Sequence, residues 1–289
     1  MSNPSPDALK DSLSVPAKLN LFLYVLGKRP DGYHELFTCF HKVTLYDNLY
    51  LELSPGRGDV NIEVTPDDII PTDNRNICFR AAKHFFDSVG HNWDVNIRIE
   101  KNIPVGAGMG GGSSDAAGVL LLLNSLCKAG LDQDALKDIG AELGADVPFF
   151  LFDFVSAIGT GTGTDIYPVT VPEFWYVLIR PNFSVSTAWV YNNFVLTTGR
   201  DDTIFAVDQD IKTLLWNNDL EKVVESTYPQ IKHLKTALLR SGAVASLMTG
   251  SGSVVYGAFD NRLKAEQAKD KLMSVLKDLD IFLVKGLHS

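Results

Sequence analysis

A mixed fold of helices and strands in two domains is what this sequence predicts, on three observations. Apolar and polar residues alternate in short runs over residues 16–64 and again over 95–100, the period-two pattern of half-buried strands. A glycine-rich run, PVGAGMGGGSSDAAG at 104–118, joins the last of these strands to an apolar helical stretch. From residue 175 onward strand and helix patterns alternate again, as an open sheet covered by helices on one side requires. With 289 residues, 45% of them apolar, the chain can bury a large core and favours two domains over one.

Taken in order, strands are predicted at 16–26, 36–45, 49–53 and 60–64, then a helix at 77–88 capped by Asn76, then a strand at 95–100. The first two strands are joined at Arg29-Pro30-Asp31-Gly32, a turn signal that delivers Tyr33 and His34 side by side. After the glycine run, VLLLLNSLCKAG reads as a buried helix closed by Gly130, and LDQDALKDIGAELGAD is helical again. The run SAIGTGTGTDIYPV at 156–169 reads as a glycine-rich hairpin, with the domain seam near its end. There follow a strand at 175–179, short helices between 186 and 240, a strand into a loop at 245–253, a strand at 254–259, a helix at 262–279 and a last strand at 281–285.

Composition narrows the function classes. Lysine plus arginine number 26 against 35 aspartates plus glutamates, a formal charge of −9, so neither duplex nucleic acid nor an anionic membrane is an expected partner. No apolar run approaches the ~20 residues of a membrane span, and MSNPSPDALKDS at the N-terminus has no apolar signal core and reads as a frayed extension. Cys39, Cys78 and Cys127 are odd in number and widely spaced, which predicts reduced thiols and a cytoplasmic protein. The six histidines show no zinc spacing.

The order strand, glycine loop, helix is that of a phosphate cradle. Only glycine lets backbone approach a ligand closely while visiting positive φ, and the following helix aims free N–H groups and its dipole at an anion. Gly106, Gly108 and Gly111 satisfy the letters of the dinucleotide fingerprint, but that motif needs a βαβ unit, and here helix follows helix. A Walker loop needs Lys and then Ser or Thr after its last glycine; Gly112 is followed by Ser113 and Ser114, with no lysine between Asn102 and Cys127. A plain turn packing a helix on a strand is the structural alternative.

The loop resembles the signature of the galactokinase, homoserine kinase, mevalonate kinase and phosphomevalonate kinase superfamily, Pro-x-x-x-Gly-Leu-Gly-Gly-Gly-Ser-Ser, with Met109 in place of the leucine. PAKLNLFLYVLGKRPDGYHEL at 16–36 resembles the opening strand and hairpin of one member, the 4-diphosphocytidyl-2-C-methyl-D-erythritol kinase family. LGADVPFFL at 143–151 resembles that family's catalytic segment, and SLMTGSGSVVYGAF at 246–259 its third motif. The resemblance implies an α+β two-domain small-molecule kinase fold. Residues 1–165 would form an ATP-binding domain like a ribosomal protein S5 domain, and 166–289 a ferredoxin-like substrate domain. It also implies ATP and Mg²⁺, a cytidine diphosphate substrate phosphorylated on the 2-hydroxyl of its methylerythritol unit in the non-mevalonate isoprenoid route, and no obligate protein partner. Alternatives are a kinase of the same superfamily acting on homoserine or mevalonate, or a nucleotide-binding sensor, against which the retention of both Lys18 and Asp146 argues.

By the same resemblance Asp146 is the base and Lys18 its partner, while Pro104, Val105, Gly106, Ala107, Gly108, Met109, Gly110, Gly111, Gly112, Ser113 and Ser114 hold ATP phosphates. Asn20, Tyr33, His34, Tyr191, Thr249, Gly250 and Ser251 fall to the substrate, His34 at the cytosine edge and Tyr191 stacked on the ring; metal ligands stay unassigned. The residues themselves add that a lysine inside AKLNLFLY needs an anion nearby if buried. The competing reading has Lys18 snorkelling to solvent and Asp146 only capping a helix before Pro148. One of Ser113 and Ser114 is expected to cap the helix, Asp115 to be a first-turn acid, and Asn20 to share a strand face with Lys18.

Overall fold

The computed structural model describes residues 8–90, 93–196 and 216–288. The chain forms two compact units, one from Met1–Ala17, Leu45–Val105 and Gly110–Asp153, the other from Lys18–Thr44, Gly106–Met109 and Phe154–Ser289. These units do not follow a single cut near residue 165, because strands β1 (Leu9–Lys28) and β2 (His34–Pro55) each contribute to both. β1 begins seven residues before the predicted start at 16: β1 pairs with β2, and Lys10 in this added stretch meets Glu52 at 3.0 Å. Residues 1–7 of the expected frayed tail lie outside the described residues. The strands predicted at 36–45 and 49–53 are one, since Asp47, which interrupts the apolar pattern, stays in the strand with its carboxylate accepting from the N–H groups of Asn102 and Ile103 at 2.6 and 2.8 Å.

In the first unit β4 (Trp93–Glu100) lies between β3 (Val60–Thr65) and the end of β2, parallel to β3 and antiparallel to β2, with Asn48 opposite Glu100. Parallel neighbours need a crossover, and α1 (Ile77–Val89) supplies it. As predicted, Asn76 caps α1, its side chain accepting from Cys78 N–H at 2.8 Å. Leu49, Leu51, Leu53, Val95, Ile97 and Ile99 are buried in this unit's core, as are Ala81, Ala82, Phe85 and Phe86 of α1. The apolar helix α2 (Gly111–Leu126) packs against α1, α3 (Gln133–Leu143) and α4 (Val147–Leu151). Gly118 lets it press on the strands: a Cβ there would fall 2.5 Å from Leu49 and 2.6 Å from Val15.

In the second unit the predicted hairpin is β5 (Ser156–Gly161) and β6 (Asp165–Pro168), with β5 antiparallel to the start of β2. A separate antiparallel sheet runs β10 (Asp280–Lys285), β7 (Trp175–Arg180), β9 (Val255–Phe259), β8 (Ala245–Met248). Helices α5 (Thr187–Asn193), α6 (Glu221–Thr227) and α7 (Gln230–Arg240) precede β8, and α8 (Arg262–Val275) precedes β10. Val177, Ile179, Val255 and Phe259 join Ile231, Leu234 and Leu238 of α7 and Ala265, Ala268 and Leu272 of α8 in one cluster. This β-α-β-β-α-β order is ferredoxin-like, and the fold class is α+β. Residues 197–215, part of the stretch predicted as short helices, lie outside the described residues.

Candidate active site

The head of α2 is built from glycine. Gly110 is its N-cap at φ 70°, in the left-handed region, and no side chain caps the helix. Ser113 and Ser114 therefore lie inside the first turn, and neither is the expected cap; Ser114 Oγ donates instead to the Pro16 carbonyl at 2.7 Å. The first N–H groups of α2 have no intrahelical acceptor, so a helix headed by glycines leaves them open to an anion. Pro104 is buried and Val105 exposed just before it.

Asp115 is not the first-turn acid expected. It is buried one turn in, 2.6 Å from the Lys101 ammonium, which also pairs with Asp47. Burial pushes the Asp115 carboxyl up to about 7 despite the lysine beside it. Burial also opposes the charge on Lys101, but Asp115 and Asp47 outweigh it and its pKa lies above the ordinary value. The sequence offered one signal for this trio, a lysine and two acids each adjoining an apolar run, and none for their pairing.

In the second unit the middle of the glycine loop is laced to the third motif. Gly108, at φ 76°, lies so close to Thr249 that a Cβ would overlap its carbonyl oxygen, and Val254 N–H donates to the Ala107 carbonyl at 3.3 Å. Met109 accepts from Lys18 N–H at 3.0 Å. Lys18 and Asn20 share a strand face, as the two-residue period predicts, and both are buried, at 3% and 2% exposure. Lys18 Nζ donates to Asn20 Oδ1 at 2.6 Å and lies 5.2 Å from the centre of the Phe40 ring. Asn20 Nδ2 donates to Thr38 Oγ1 at 2.8 Å, and Asn20 N–H to Thr249 Oγ1 at 3.1 Å. Lys18, Asn20 and Thr249 thus form one buried cluster against Gly108, and Lys18 does not snorkel. Gly250 and Ser251 continue from Thr249, with Ser251 Oγ 2.7 Å from Thr187 Oγ1.

Asp146, in the first unit, occupies the N-cap position of α4 at φ −84° but makes no side-chain capping bond, so capping does not account for it. It is half-buried. In the second unit the 29–32 turn forms as predicted: Arg29 N–H donates to the Tyr33 carbonyl at 2.8 Å, Gly32 N–H to the Arg29 carbonyl at 3.1 Å, and Gly32 adopts φ 89°. Tyr33 is exposed. His34 and Tyr191 come together directly, ring centres 5.1 Å apart and planes 28° from parallel, with Phe194 edge-on to His34 at 6.2 Å. Partial burial, then the charge of Lys28, lowers the His34 pKa.

Among the described residues no group of three or more His, Cys, Asp or Glu can hold a metal ion, and no helix is long and apolar enough to cross a membrane. Residues 76–154 match the GHMP kinases N terminal domain and residues 209–278 the GHMP kinases C terminal domain. A curated relative, 4-diphosphocytidyl-2-C-methyl-D-erythritol kinase of Syntrophotalea carbinolica, is 44% identical over 271 residues, covering 91% of this chain and 95% of that protein. A crystal structure of 4-(cytidine 5'-diphospho)-2C-methyl-D-erythritol kinase superposes with a TM-score of 0.78 at 31% identity, over 96% of this chain and 100% of that one. A homoserine kinase from Cytophaga hutchinsonii, at TM-score 0.74 and 16% identity over 99% of this chain and 96% of that one, shares the fold. With the phosphate loop, the Lys18 strand and the third motif arranged as described, the chain belongs to the GHMP kinases and, within them, to the 4-diphosphocytidyl-2-C-methyl-D-erythritol kinase family.

Proposed function

We propose that this ATP-dependent kinase works in the cytoplasm and transfers the γ-phosphoryl group of ATP to the 2-hydroxyl of 4-diphosphocytidyl-2-C-methyl-D-erythritol, a step toward isoprenoid precursors. The observation that carries this reading is the buried cluster of Lys18, Asn20 and Thr249 against Gly108, drawn from three separate family-like stretches of sequence. Phosphoryl transfer has a loose transition state with charge on peripheral oxygens, so the protein has to position groups and offset charge. Asp146 accepts the hydroxyl proton as the new O–P bond forms and the bond to the β-phosphate oxygen breaks, leaving ADP; a positioned base contributes ~10²–10⁴-fold.

Lys18 offsets charge on the transferring group, oriented by the Asn20 carboxamide. Backbone N–H groups of residues 104–114 hold the ATP phosphates, and residues 166–289 contribute Tyr191 and the Thr249–Ser251 loop to the substrate side. Asn20, Tyr33 and His34 complete that side, with His34 reading the cytosine edge. Mg²⁺ keeps much of its water and takes phosphate oxygens, so it needs only one or two protein ligands. The hydroxyl of Ser113, half-buried in the first turn of α2, fits so sparse a donor set. Bound there, the ion would neutralise phosphate charge.

An ADP-release assay with the cytidine conjugate, homoserine and mevalonate as acceptors tests the reading. Turnover with the cytidine conjugate alone is expected. Turnover with homoserine or mevalonate instead would leave only the general kinase assignment.

A further inference from the structure

Residues 217–221, Asn-Asn-Asp-Leu-Glu, take no part in the chemistry above, yet their polar groups are almost wholly engaged in holding other backbone. Asn217 and Asp219 bond the main chain at Leu23 and Val25: Leu23 N–H donates to the Asn217 carbonyl at 2.7 Å and Val25 N–H to Asp219 Oδ2 at 2.8 Å. Glu221 Oε2 accepts from Met248 N–H at 2.7 Å, while its other oxygen pairs with Lys235. Asn218 is 5% exposed and fully used. Its Nδ2 donates to the carbonyls of Met248 at 2.7 Å and Gly250 at 2.8 Å, and its Oδ1 accepts from Leu220 N–H at 3.0 Å. Two carbonyl acceptors on one side and an N–H donor on the other fix the orientation of the amide.

A trans peptide holds its C=O and the next N–H on opposite sides. Drawing the Gly250 carbonyl onto Asn218 therefore turns the Ser251 N–H the other way, and Gly250, at φ 54°, is the residue that permits the plane to sit so. Among the described residues the Ser251 N–H donates to no protein acceptor, although Ser251 is only 8% exposed. A backbone N–H without a protein acceptor, in a residue this little exposed, is a donor that a ligand can complete. We propose that Asn218 is a positioning residue of the phosphoryl transfer: by holding the Gly250 carbonyl inward it aims the Ser251 N–H at an anionic phosphate oxygen of the bound substrates. This rests on the reading of Thr249, Gly250 and Ser251 as substrate-binding.

Two measurements test it. Amide hydrogen exchange of the wild-type enzyme over residues 249–253 should slow on adding CDP or the non-hydrolysable ATP analogue AMP-PNP. Protection by CDP assigns the oxygen to the cytidine diphosphate group, and protection by AMP-PNP assigns it to the transferring group. No protection by either overturns the proposal. Asn218→Asp keeps the shape but sets an oxygen against both carbonyls, and should lower kcat/KM for the cytidine substrate by about tenfold or more while moving KM for the other substrate less. Thr249→Ala separates the two readings. A normal Asn218→Asp enzyme beside an impaired Thr249→Ala enzyme refutes the role of Asn218 alone; two normal enzymes and no protection refute the loop as a substrate site. If Asn218→Asp does not fold, the wild-type exchange measurement decides.

Discussion

Two of the buried lysines among the described residues, Lys101 in the first unit and Lys18 in the second, are held in different ways. Lys101 is answered by two carboxylates, more negative charge than it carries, and one of the acids is pushed up to about 7 as a result of burial with its neighbour Asp47 adding to it. Lys18 has among its contacts a carboxamide oxygen and the face of a phenyl ring. The carboxylate pair accounts for Lys101 by charge within the first unit, whereas Lys18 is the lysine proposed above to meet the charge of the transferring group.

Substitutions at the proposed catalytic pair test the comparison with the largest effect. Asp146→Asn should lower kcat by ~10²–10⁴-fold with both substrates still bound, and Lys18→Met should also cripple turnover per folded molecule. Near-normal kcat in Asp146→Asn would make that carboxylate structural. Lys101→Met should do the reverse. It leaves two buried carboxylates unpaired, so urea unfolding should show a loss of about 3–5 kcal/mol, with kcat per folded molecule much less affected than in Lys18→Met. Adding Asp47→Asn and Asp115→Asn to Lys101→Met should restore most of that stability, and failure to do so would show that charge is not the cause.

Gly111→Val strikes the first unit's cradle. A Cβ at Gly111 would lie 3.0 Å from Ile103 Cγ2 and 3.3 Å from Lys101 Nζ. Titration with a fluorescent ATP analogue should show nucleotide affinity lost in a folded protein; unchanged affinity would remove the loop from the nucleotide site.

A smaller effect separates the units by pH. The Asp115 carboxyl, at about 7 in the fold against the usual 3.8, binds its proton more tightly folded than unfolded. Its contribution to stability is thus present at low pH and lost as pH rises from about 4 to about 7. His41 in the second unit, lowered by burial and then by His288 to about 3 from 6.5, does the opposite: its contribution is lost as pH falls through that range. Melting temperatures between pH 4 and 8 should show Asp115→Asn gaining on wild type as pH rises, and His41→Gln gaining as pH falls. Parallel curves would mean that neither group titrates as placed. Smallest, Tyr191→Ala should cost the ~1–3 kcal/mol of a base stack, read as a raised KM for the cytidine substrate, and His34→Ala should narrow its preference over a uridine analogue.

Local pattern by itself determined much of this protein. The alternation in β3 and β4, the Asn76 cap, the 29–32 turn, the 156–169 hairpin and the shared face of Lys18 and Asn20 are all short-range consequences of side-chain period and backbone preference, which a single sequence displays. The glycine run likewise pointed to a phosphate cradle, because few residue types tolerate positive φ and close backbone approach, and its resemblance and that of the third motif to family motifs pointed to a kinase. Other features belong to the tertiary structure alone. Asp47 looked like a break between strands and is instead a buried acceptor for Asn102, Ile103 and Lys101, partners more than fifty residues away. A serine was expected to cap α2, but the chain enters that helix through left-handed Gly110, and Ser114 turns to Pro16. Asn218 falls in the stretch predicted only as short helices; the return of the chain thirty residues later brings the Met248 and Gly250 carbonyls to its amide. Periodicity reports which face of an element is buried, but a hydrogen bond or ion pair between distant residues leaves no local trace, so the folded chain alone decides which buried polar groups meet.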